Sequence, residues 1–236
     1  MANLSDYRVL CFDVYGTLID WENGILAALK PILSKSTTKF TREHLLTTYS
    51  NLESTQQKAT PDLPYSDLLS KIHPTLVARL GLDPPTDEEN RQFGKSIGTW
   101  PAFPDTVDAL HRLSKHFKLV VLSNVDRASF AESNAGSLQN VPFDMVLTAQ
   151  DIGSYKPDPR NFDFMLNAVE REFGAGRDQV LQTAQSQFHD HQPARQAGIK
   201  SVWIARPGAL MGNRENPIFD WRFDTLGEMA DAVEAK

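Results

Sequence analysis

The segment from Val9 to Leu18 constrains the fold of this chain most, because an apolar run leads directly into an aspartate and a glycine. The four apolar residues at 9–12 predict a buried strand, and Gly16 interrupts it. Asp13 therefore falls at the C-terminal end of a strand, where open α/β sheets bind their ligands. Its carboxylate is a candidate covalent nucleophile, and the alternative is an aspartate that caps a turn beside glycine.

Strand and helix patterns alternate in the second half of the chain. Apolar runs predict further strands at 118–122, 145–148, 180–184 and 201–204, with helices near 105–116, 126–138, 160–173 and 191–197. This alternation predicts a parallel sheet covered by helices on both faces. Between the first two strands no strand is predicted, and four segments have helical patterns, near 25–33, 42–57, 66–80 and 87–97. Thr86 and Glu89 form a capping-box pattern at the start of the last one.

We therefore predict an α/β fold with a Rossmann-like parallel sheet core and an inserted helical subdomain. The core comprises residues 1–20 and 101–236, and the insert comprises residues 21–100, directly after the first strand. The chain of 236 residues is 41% hydrophobic, which suffices for one core with an insertion.

Composition limits the classes of partner and the location. The net charge of -6 argues against a nucleic-acid partner, because phosphate neutralisation needs a basic excess. No stretch approaches the length of a membrane span, and the start shows no secretory signal, so we predict no membrane partner and a cytoplasmic location. The single cysteine, Cys11, is predicted to be a small buried hydrophobe.

Polar residues follow the later strands in a fixed order. Ser123 and Asn124 end the strand at 118–122, Lys156 lies in the loop after 145–148, and His189 and Asp190 come shortly after 180–184. With Asp13, the order aspartate, hydroxyl, lysine, aspartate resembles the four motifs of the haloacid dehalogenase superfamily. The resemblance covers most of the chain and implies that the helical insert is a cap over the active site.

Tyr15 indicates the subtype. Phosphatases of this superfamily usually carry a second aspartate at this position, which protonates the leaving alkoxide. The stretch from Phe12 to Asp20 instead resembles the type II 2-haloacid dehalogenases, which read Phe-Asp-x-Tyr-Gly-Thr-Leu-x-Asp. A halide leaves without a proton, so tyrosine is chemically consistent; an aromatic filling the seam between cap and core is a compatible alternative.

The resemblance implies a role for each motif residue. Asp13 would displace halide from the substrate carbon and form an ester that water hydrolyses. Thr17 and Ser123 would hold carboxylate oxygens, Lys156 would keep Asp13 ionised, and Asp190 would position the water. The predicted substrate-binding residues are Tyr15, Val14, Asn124, Arg42, His189 and Gln187.

Three of these assignments have alternatives. Asn124 would orient either the substrate or the halide, and His189 would orient Asp190 or contact the substrate. Arg42 is the nearest candidate for the cap arginine that draws off halide in the family, although a surface position behind Thr41 is the favoured interpretation.

Motif IV departs from the dehalogenase pattern. Gln185 and Gln187 stand where the family has a serine and an asparagine. Outside motif IV, Phe162 replaces the tyrosine that the family has six residues after the motif III lysine. These changes leave open a hydrolase that acts on a different electrophile.

No metal or cofactor is predicted to be required. Mg²⁺ is the alternative, with Asp13, the Val14 carbonyl and Asp190 as ligands, since hard cations take oxygen ligands. A zinc site at His189 and His191 is not predicted, because i and i+2 side chains do not converge on one helix face. The predicted partner is a small-molecule substrate, and the resemblance adds a homodimer. A magnesium-dependent phosphatase and a non-catalytic binding protein on the same scaffold remain the other functional hypotheses.

Overall fold

The structure, a computed structural model, describes residues 3–235 and contains one parallel sheet of six strands. The strands are β1 (Val9–Phe12), β2 (Lys118–Ser123), β3 (Met145–Thr148), β4 (Val180–Ala184), β5 (Lys200–Ile204) and β6 (Trp221–Phe223). Their order is β3-β2-β1-β4-β5-β6, so β1 is central and pairs with β2 and β4. The predicted α/β fold is confirmed.

Four helices form the insert after β1: α1 (Trp21–Leu33), α2 (Arg42–Ala59), α3 (Tyr65–Arg79) and α4 (Asp87–Lys95). The others are α5 (Thr106–Leu113), α6 (Arg127–Ala135), α7 (Ala149–Ile152), α8 (Pro159–Phe173), α9 (Gln192–Gln196) and α10 (Leu226–Glu234). Short 3₁₀ segments lie at Leu4–Asp6, Ser96–Thr99 and Arg177–Gln179, and a π-helical turn at Gln187–His191. Over residues 3–235, every helix is too short or too polar to cross a bilayer.

Both faces of the sheet are covered, because successive side chains of a strand point to opposite sides. Leu10 and Phe12 belong to the larger apolar cluster, which also includes buried residues of the four inserted helices. Val9 and Cys11 belong to the smaller cluster, with buried residues of α8 and α9. A strand buried on both faces explains the uninterrupted apolar run in β1.

The two chain crossings between sheet and insert run side by side. Ile19 forms an antiparallel bridge with Ala102, and the amide of Asp20 donates to the carbonyl of Pro101 at 2.8 Å. Asp20 also caps α1, because its Oδ1 accepts from the amide of Asn23 at 3.0 Å. The insert therefore begins and ends beside the carboxyl end of β1, and its boundaries at residues 21 and 100 stay a prediction.

Three elements, the strand β6 and the helices α7 and α10, were not predicted from sequence. Helix α7 has only four residues, too few to show a helical period. Strand β6 has three residues at the edge of the sheet, a length at which alternation gives little signal. Helix α10 carries apolar residues at helical spacing behind the N-cap Thr225, so its signal was present in the sequence. Helix α6 ends at Ala135, before the predicted residue 138, because Gly136 follows it.

Close packing of α1 on Trp100 makes Gly24 a sensitive position. A Cβ atom on Gly24 would lie 2.3 Å from Cγ of Trp100. We expect Gly24→Ala to lower the free energy of unfolding by about 1–3 kcal/mol, although alanine favours helix by about 1 kcal/mol. Urea unfolding measures the change. In the matched control Gly227→Ala, the nearest atom is 3.5 Å away, so stability should hold; equal stability of the two variants would contradict the predicted clash.

Candidate active site

A cavity of about 330 Å³ lies between the carboxyl ends of the strands and the helices of the insert. The sheet side contributes Asp13, Ser123 and Lys156, and the insert contributes residues of α2 and α3. The motif residues that the sequence analysis assigned to one edge of the sheet therefore do meet, because parallel strands end at the same edge.

Asp13 is fixed by the tight turn that follows β1. The turn is closed by hydrogen bonds from three backbone amides to the carbonyl of Val14, and Gly16 adopts φ +104°, a conformation that favours glycine. The hydroxyl of Thr17 donates to Asp13 Oδ2 at 2.8 Å. Because the amide of Gln185 donates to the same hydroxyl at 2.9 Å, the Thr17 proton is directed to the carboxylate.

The Lys156 side chain crosses the floor of the cavity. Its Nζ donates to Asp13 Oδ1 at 3.0 Å, to Asp190 Oδ1 at 2.7 Å and to the carbonyl of Leu122 at 2.8 Å. These three acceptors use all three hydrogens of the ammonium group. Burial alone would lower the pKa of Lys156, but Asp13 and Asp190 raise it above its usual range. Lys156 is therefore a permanent positive charge between two carboxylates.

Asp190 is fully buried beside this ammonium group. Its Oδ1 also accepts from Nε2 of Gln182 at 2.9 Å, whereas Oδ2 has no hydrogen-bond partner among the described residues. Burial raises the pKa of Asp190, and Lys156 opposes this shift. Oδ2 is therefore a free acceptor in the part of the site that the resemblance assigns to water.

Two histidines flank Asp190 and have different surroundings. His189 lines the cavity, and burial together with Lys156 lowers its pKa to about 4. His191 lies behind the site, where Nε2 donates to the carbonyl of Ala184 at 2.9 Å and Nδ1 pairs with the hydroxyl of Ser201 at 2.8 Å. Burial lowers the pKa of His191 to about 4 as well. Both rings are therefore neutral at pH 7.

Ser123 and Asn124, at the end of β2, have different roles. The hydroxyl of Ser123 is buried at the cavity wall without a hydrogen-bond partner, so it is available to a ligand. The amide of Asn124 is engaged with the backbone of Lys156: Oδ1 accepts from its N–H at 2.6 Å, and Nδ2 donates to its carbonyl at 3.0 Å. Asn124 thus holds the Lys156 loop as well as lining the cavity.

Tyr15 lines the cavity with its ring, while its hydroxyl is 3.0 Å from Oγ of Ser133. The ring packs edge-on against Trp100, with centroids 5.7 Å apart. Burial raises the pKa of Tyr15, so the phenol does not release a proton at neutral pH. The seam-filling role predicted for Tyr15 agrees with these contacts.

The departures from the dehalogenase pattern have structural explanations. Gln185 Nε2 donates to the carbonyl of Met211 at 2.9 Å, and Gln187 Oε1 accepts from the amide of Ile218 at 2.6 Å. Both glutamines therefore bind the loop between β5 and β6. Gln187 was predicted to bind substrate, but it does not line the cavity. Phe162 lies in the smaller apolar cluster, away from the cavity lining.

Arg42 is also not brought to this cavity. Its guanidinium donates to Glu22 at 2.7 Å and to Oδ1 of Asn23 at 2.7 Å, beside a separate cavity of about 140 Å³. The buried Glu22 carboxylate also accepts from the amides of Leu210 and Met211 at 2.9 Å. Arg42 therefore belongs to a contact between the cap and the loop before β6, because Glu22 engages its charge.

The magnesium ligands suggested by the sequence do not form a set. The carbonyl of Val14 accepts from the amides of Thr17, Leu18 and Ile19, so it is directed into the turn. The Asp13 oxygens are engaged by Lys156 and Thr17. Among residues 3–235, no group of three or more histidine, cysteine or acidic side chains is arranged to hold a metal ion.

The cap side of the cavity was missed by the sequence analysis. Helix α2 presents a polar stripe made of Ser50, Glu53, Ser54 and Gln57, all of which line the cavity. Their spacing of three, four and seven residues places them on one helix face, which is the signal that could have identified them. Burial raises the pKa of Glu53 to about 7, although a hydrogen bond from Tyr65 opposes this.

Comparison with known proteins assigns the family. Residues 10–204 match the haloacid dehalogenase-like hydrolase family, and the chain belongs to it. The (S)-2-haloacid dehalogenase of Pseudomonas putida is 25% identical over 229 residues, which cover 92% of this chain and 89% of that protein.

Solved structures share the fold. The L-2-haloacid dehalogenase from Xanthobacter autotrophicus with chloropropionic acid covalently bound has a TM-score of 0.78 and 17% identity, over 96% of this chain and 98% of that chain. A magnesium-bound HAD-hydrolase from Bacillus subtilis has a TM-score of 0.74 and 17% identity, with the same coverage. The superfamily resemblance noted in the sequence is confirmed.

Removal of the Lys156 charge should destabilise the fold. We expect Lys156→Met to lower the free energy of unfolding by about 3–5 kcal/mol at pH 7, because two buried carboxylates lose their counter-ion. The loss should shrink as the pH falls, since a protonated carboxyl group is easier to bury. Urea titrations between pH 5 and pH 8 measure both effects.

Lys118→Met is the matched control for this experiment. Lys118 pairs with Asp144 at 2.7 Å on the surface, with 54% of its side chain exposed. Its replacement should change stability by less than about 1 kcal/mol. Equal losses in the two variants would contradict the importance of the buried ammonium group.

His191 should make stability depend on pH. Its pKa is depressed to about 4 in the folded protein and is about 6.5 in an unfolded chain. As the pH falls from 6.5 to 4, the unfolded state takes up a proton that the folded state does not, so stability decreases by about 1.4 kcal/mol per pH unit within this window. His191→Gln should remove this component of the slope. His111 is exposed, so His111→Gln should keep the pH dependence of the wild type. An unchanged slope in His191→Gln would contradict the assignment of this slope to His191.

Proposed function

We propose that this hydrolase is of the 2-haloacid dehalogenase type and converts a 2-haloacid into a 2-hydroxy acid and halide. The observation that carries the proposal is the environment of Asp13. Its carboxylate lines the cavity between the sheet and the insert and is held by Thr17 and Lys156. The position two residues later is a tyrosine whose hydroxyl lies 3.0 Å from Oγ of Ser133. The site thus has a nucleophile and lacks the acid that an alkoxide leaving group needs there.

In the first step, a carboxylate oxygen of Asp13 attacks the carbon that bears the halogen. The carbon–halogen bond breaks with its electron pair, so halide leaves and an ester to Asp13 forms. The ammonium group of Lys156 lies 3.0 Å from Asp13 Oδ1 and orients the carboxylate for attack. The free hydroxyl of Ser123 is available to bind the substrate carboxylate.

In the second step, water adds to the carbonyl carbon of the ester. Asp190 Oδ2, which has no other hydrogen-bond partner in the described chain, accepts a hydrogen bond from this water and takes its proton. As the acyl–oxygen bond breaks, Asp190 returns this proton to the departing alkoxide oxygen, which releases the 2-hydroxy acid. Asp13 is regenerated with one new oxygen atom from the water, and the second water proton passes to solvent as its carboxyl group ionises. The neutral His189 lies next to Asp190 on the cavity wall and orients the water or the substrate.

The reaction is proposed to need no metal ion. Lys156 supplies the positive charge next to both carboxylates, and the Val14 carbonyl expected as a ligand is saturated by backbone amides. Cytoplasmic location and a homodimer, expected from the sequence, stay predictions.

The test is halide release from L-2-chloropropionate and chloroacetate in the presence of EDTA. The wild type should release chloride, and Asp13→Asn should lose at least about 10³-fold in rate, because the amide is not a nucleophile. In H₂¹⁸O, repeated turnover should place ¹⁸O in the Asp13 carboxylate, which peptide mass spectrometry detects.

Asp163→Asn is the matched control, since Asp163 is exposed on α8 and should keep full activity. If the folded wild type releases no halide but hydrolyses phosphate esters with Mg²⁺, the phosphatase hypothesis replaces this proposal. Halide release without ¹⁸O in Asp13 would exclude the ester intermediate. A folded protein inactive on both substrate classes would favour a different electrophile or a binding role.

A further inference from the structure

Glu53 is a half-buried carboxylate without a cationic partner. Its Oε1 accepts from the hydroxyl of Tyr65 and from Nε2 of Gln57 at 3.3 Å, while Oε2 accepts no hydrogen bond among the described residues. No lysine or arginine contributes to the environment that sets its pKa, and burial raises that pKa to about 7. An uncompensated carboxylate in a cavity wall is costly to keep ionised unless a ligand compensates its charge.

The hydrogen-bond directions favour the ionised form of Glu53. The hydroxyls of Tyr49 and Tyr65 are 2.8 Å apart. A phenol carries a single hydrogen, and that of Tyr65 goes to Glu53, so Tyr49 donates to Tyr65. Tyr49 thus donates to Tyr65, which donates to Glu53, and a chain of hydrogen bonds that ends on a carboxylate stabilises its charge.

The remaining charges of the cavity do not offset Glu53. Lys156 is the one lysine or arginine among the described residues that line the cavity, and its three hydrogens are already bound to Asp13, Asp190 and a backbone carbonyl. His189 is neutral at pH 7. A cation brought by a ligand would therefore meet an unbalanced negative charge on the cap side.

The shape and lining of the cap side also suit a cationic group. The other residues of the α2 stripe line the same cavity as Glu53, as do Trp21, Tyr65 and Trp100. Aromatic faces attract ammonium groups. The volume of about 330 Å³ falls in the range of about 300–1,000 Å³ that holds drug-sized ligands. The cavity is therefore larger than a three-carbon haloacid needs.

We infer that Glu53 determines specificity: with the polar stripe of α2, it binds an alkylammonium group at the end of the substrate remote from Asp13. The inference rests on the proposed function, because it takes Asp13 as the group that meets the reacting carbon. The substrate class is then a 2-halo acid with an amino group on its side chain.

Binding is measured first, by calorimetry at pH 8 with three unreactive probes of similar length: 5-aminopentanoate, pentanoate and glutarate. The wild type should bind 5-aminopentanoate about 10- to 100-fold more tightly than pentanoate, and glutarate most weakly. Glu53→Gln should bind 5-aminopentanoate and pentanoate with equal affinity.

Glu43→Gln is the matched control on the same helix, because Glu43 is exposed in the first turn of α2. It should keep the preference of the wild type. A wild type that binds pentanoate as tightly as 5-aminopentanoate, or a Glu53→Gln protein that keeps the preference, overturns the inference. The wild-type comparison decides the question even if Glu53→Gln does not fold.

Halide release then separates this inference from the proposed function. In the wild type, kcat/KM for 5-amino-2-chloropentanoate should exceed that for 2-chloropentanoate by about 10-fold or more. Glu53→Gln should abolish this ratio, whereas the control Glu43→Gln should keep both the ratio and the chloroacetate turnover of the wild type. A binding preference without any halide release supports ammonium recognition and overturns the dehalogenase proposal. Halide release without the binding preference supports the dehalogenase proposal and overturns ammonium recognition.

Discussion

The buried ammonium group of Lys156 is the contact on which the candidate site depends. It joins Asp13, which follows β1, to Asp190, which follows β4. It also donates to the carbonyl of Leu122 near the end of β2. Two carboxylates this close could not both stay ionised without it. The same contact is thus structural and electrostatic: it closes the carboxyl edge of the sheet and places a positive charge between Asp13 and Asp190. Asn124 adds to this arrangement by binding the Lys156 backbone on both sides of the residue.

A second network holds the turn after β1 from the opposite side. The guanidinium of Arg206 is buried, donates to the carbonyl of Thr17 at 2.9 Å and 2.7 Å, and lies 4.1 Å from the ring of Phe103. Gln185 and Glu22 bind the segment at 210–211 that follows Arg206. The loop between β5 and β6 therefore supports the turn after β1 and contacts the inserted helices. The glutamines of motif IV fit this role, because their side-chain amides bind the backbone of the loop at Met211 and Ile218.

The sequence predicted the sheet and its polar edge well, for one reason. Apolar runs mark parallel strands buried on both faces, and residues that directly follow such strands must share an edge. That logic brought Asp13, Ser123 and Lys156 together correctly. It could not reveal that the amide of Asn124 binds backbone or that Gln187 faces the loop, because such partners depend on loops without a periodic pattern. The polar stripe on α2 was readable from its spacing, but its interpretation required the knowledge that this face meets the cavity and not solvent.

The two walls of the cavity therefore carry different parts of the chemistry. On the sheet side, Lys156 balances the carboxylates it contacts, and the hydrogen bonds leave little freedom for change without loss of the fold. On the cap side, Glu53 is supported by two tyrosines and has no cation of its own. Substitutions on an exposed or half-buried helix face cost less stability than changes in a buried ion network. Under the proposed function, substrate preference can accordingly change on α2 while Asp13 and Lys156 stay the same.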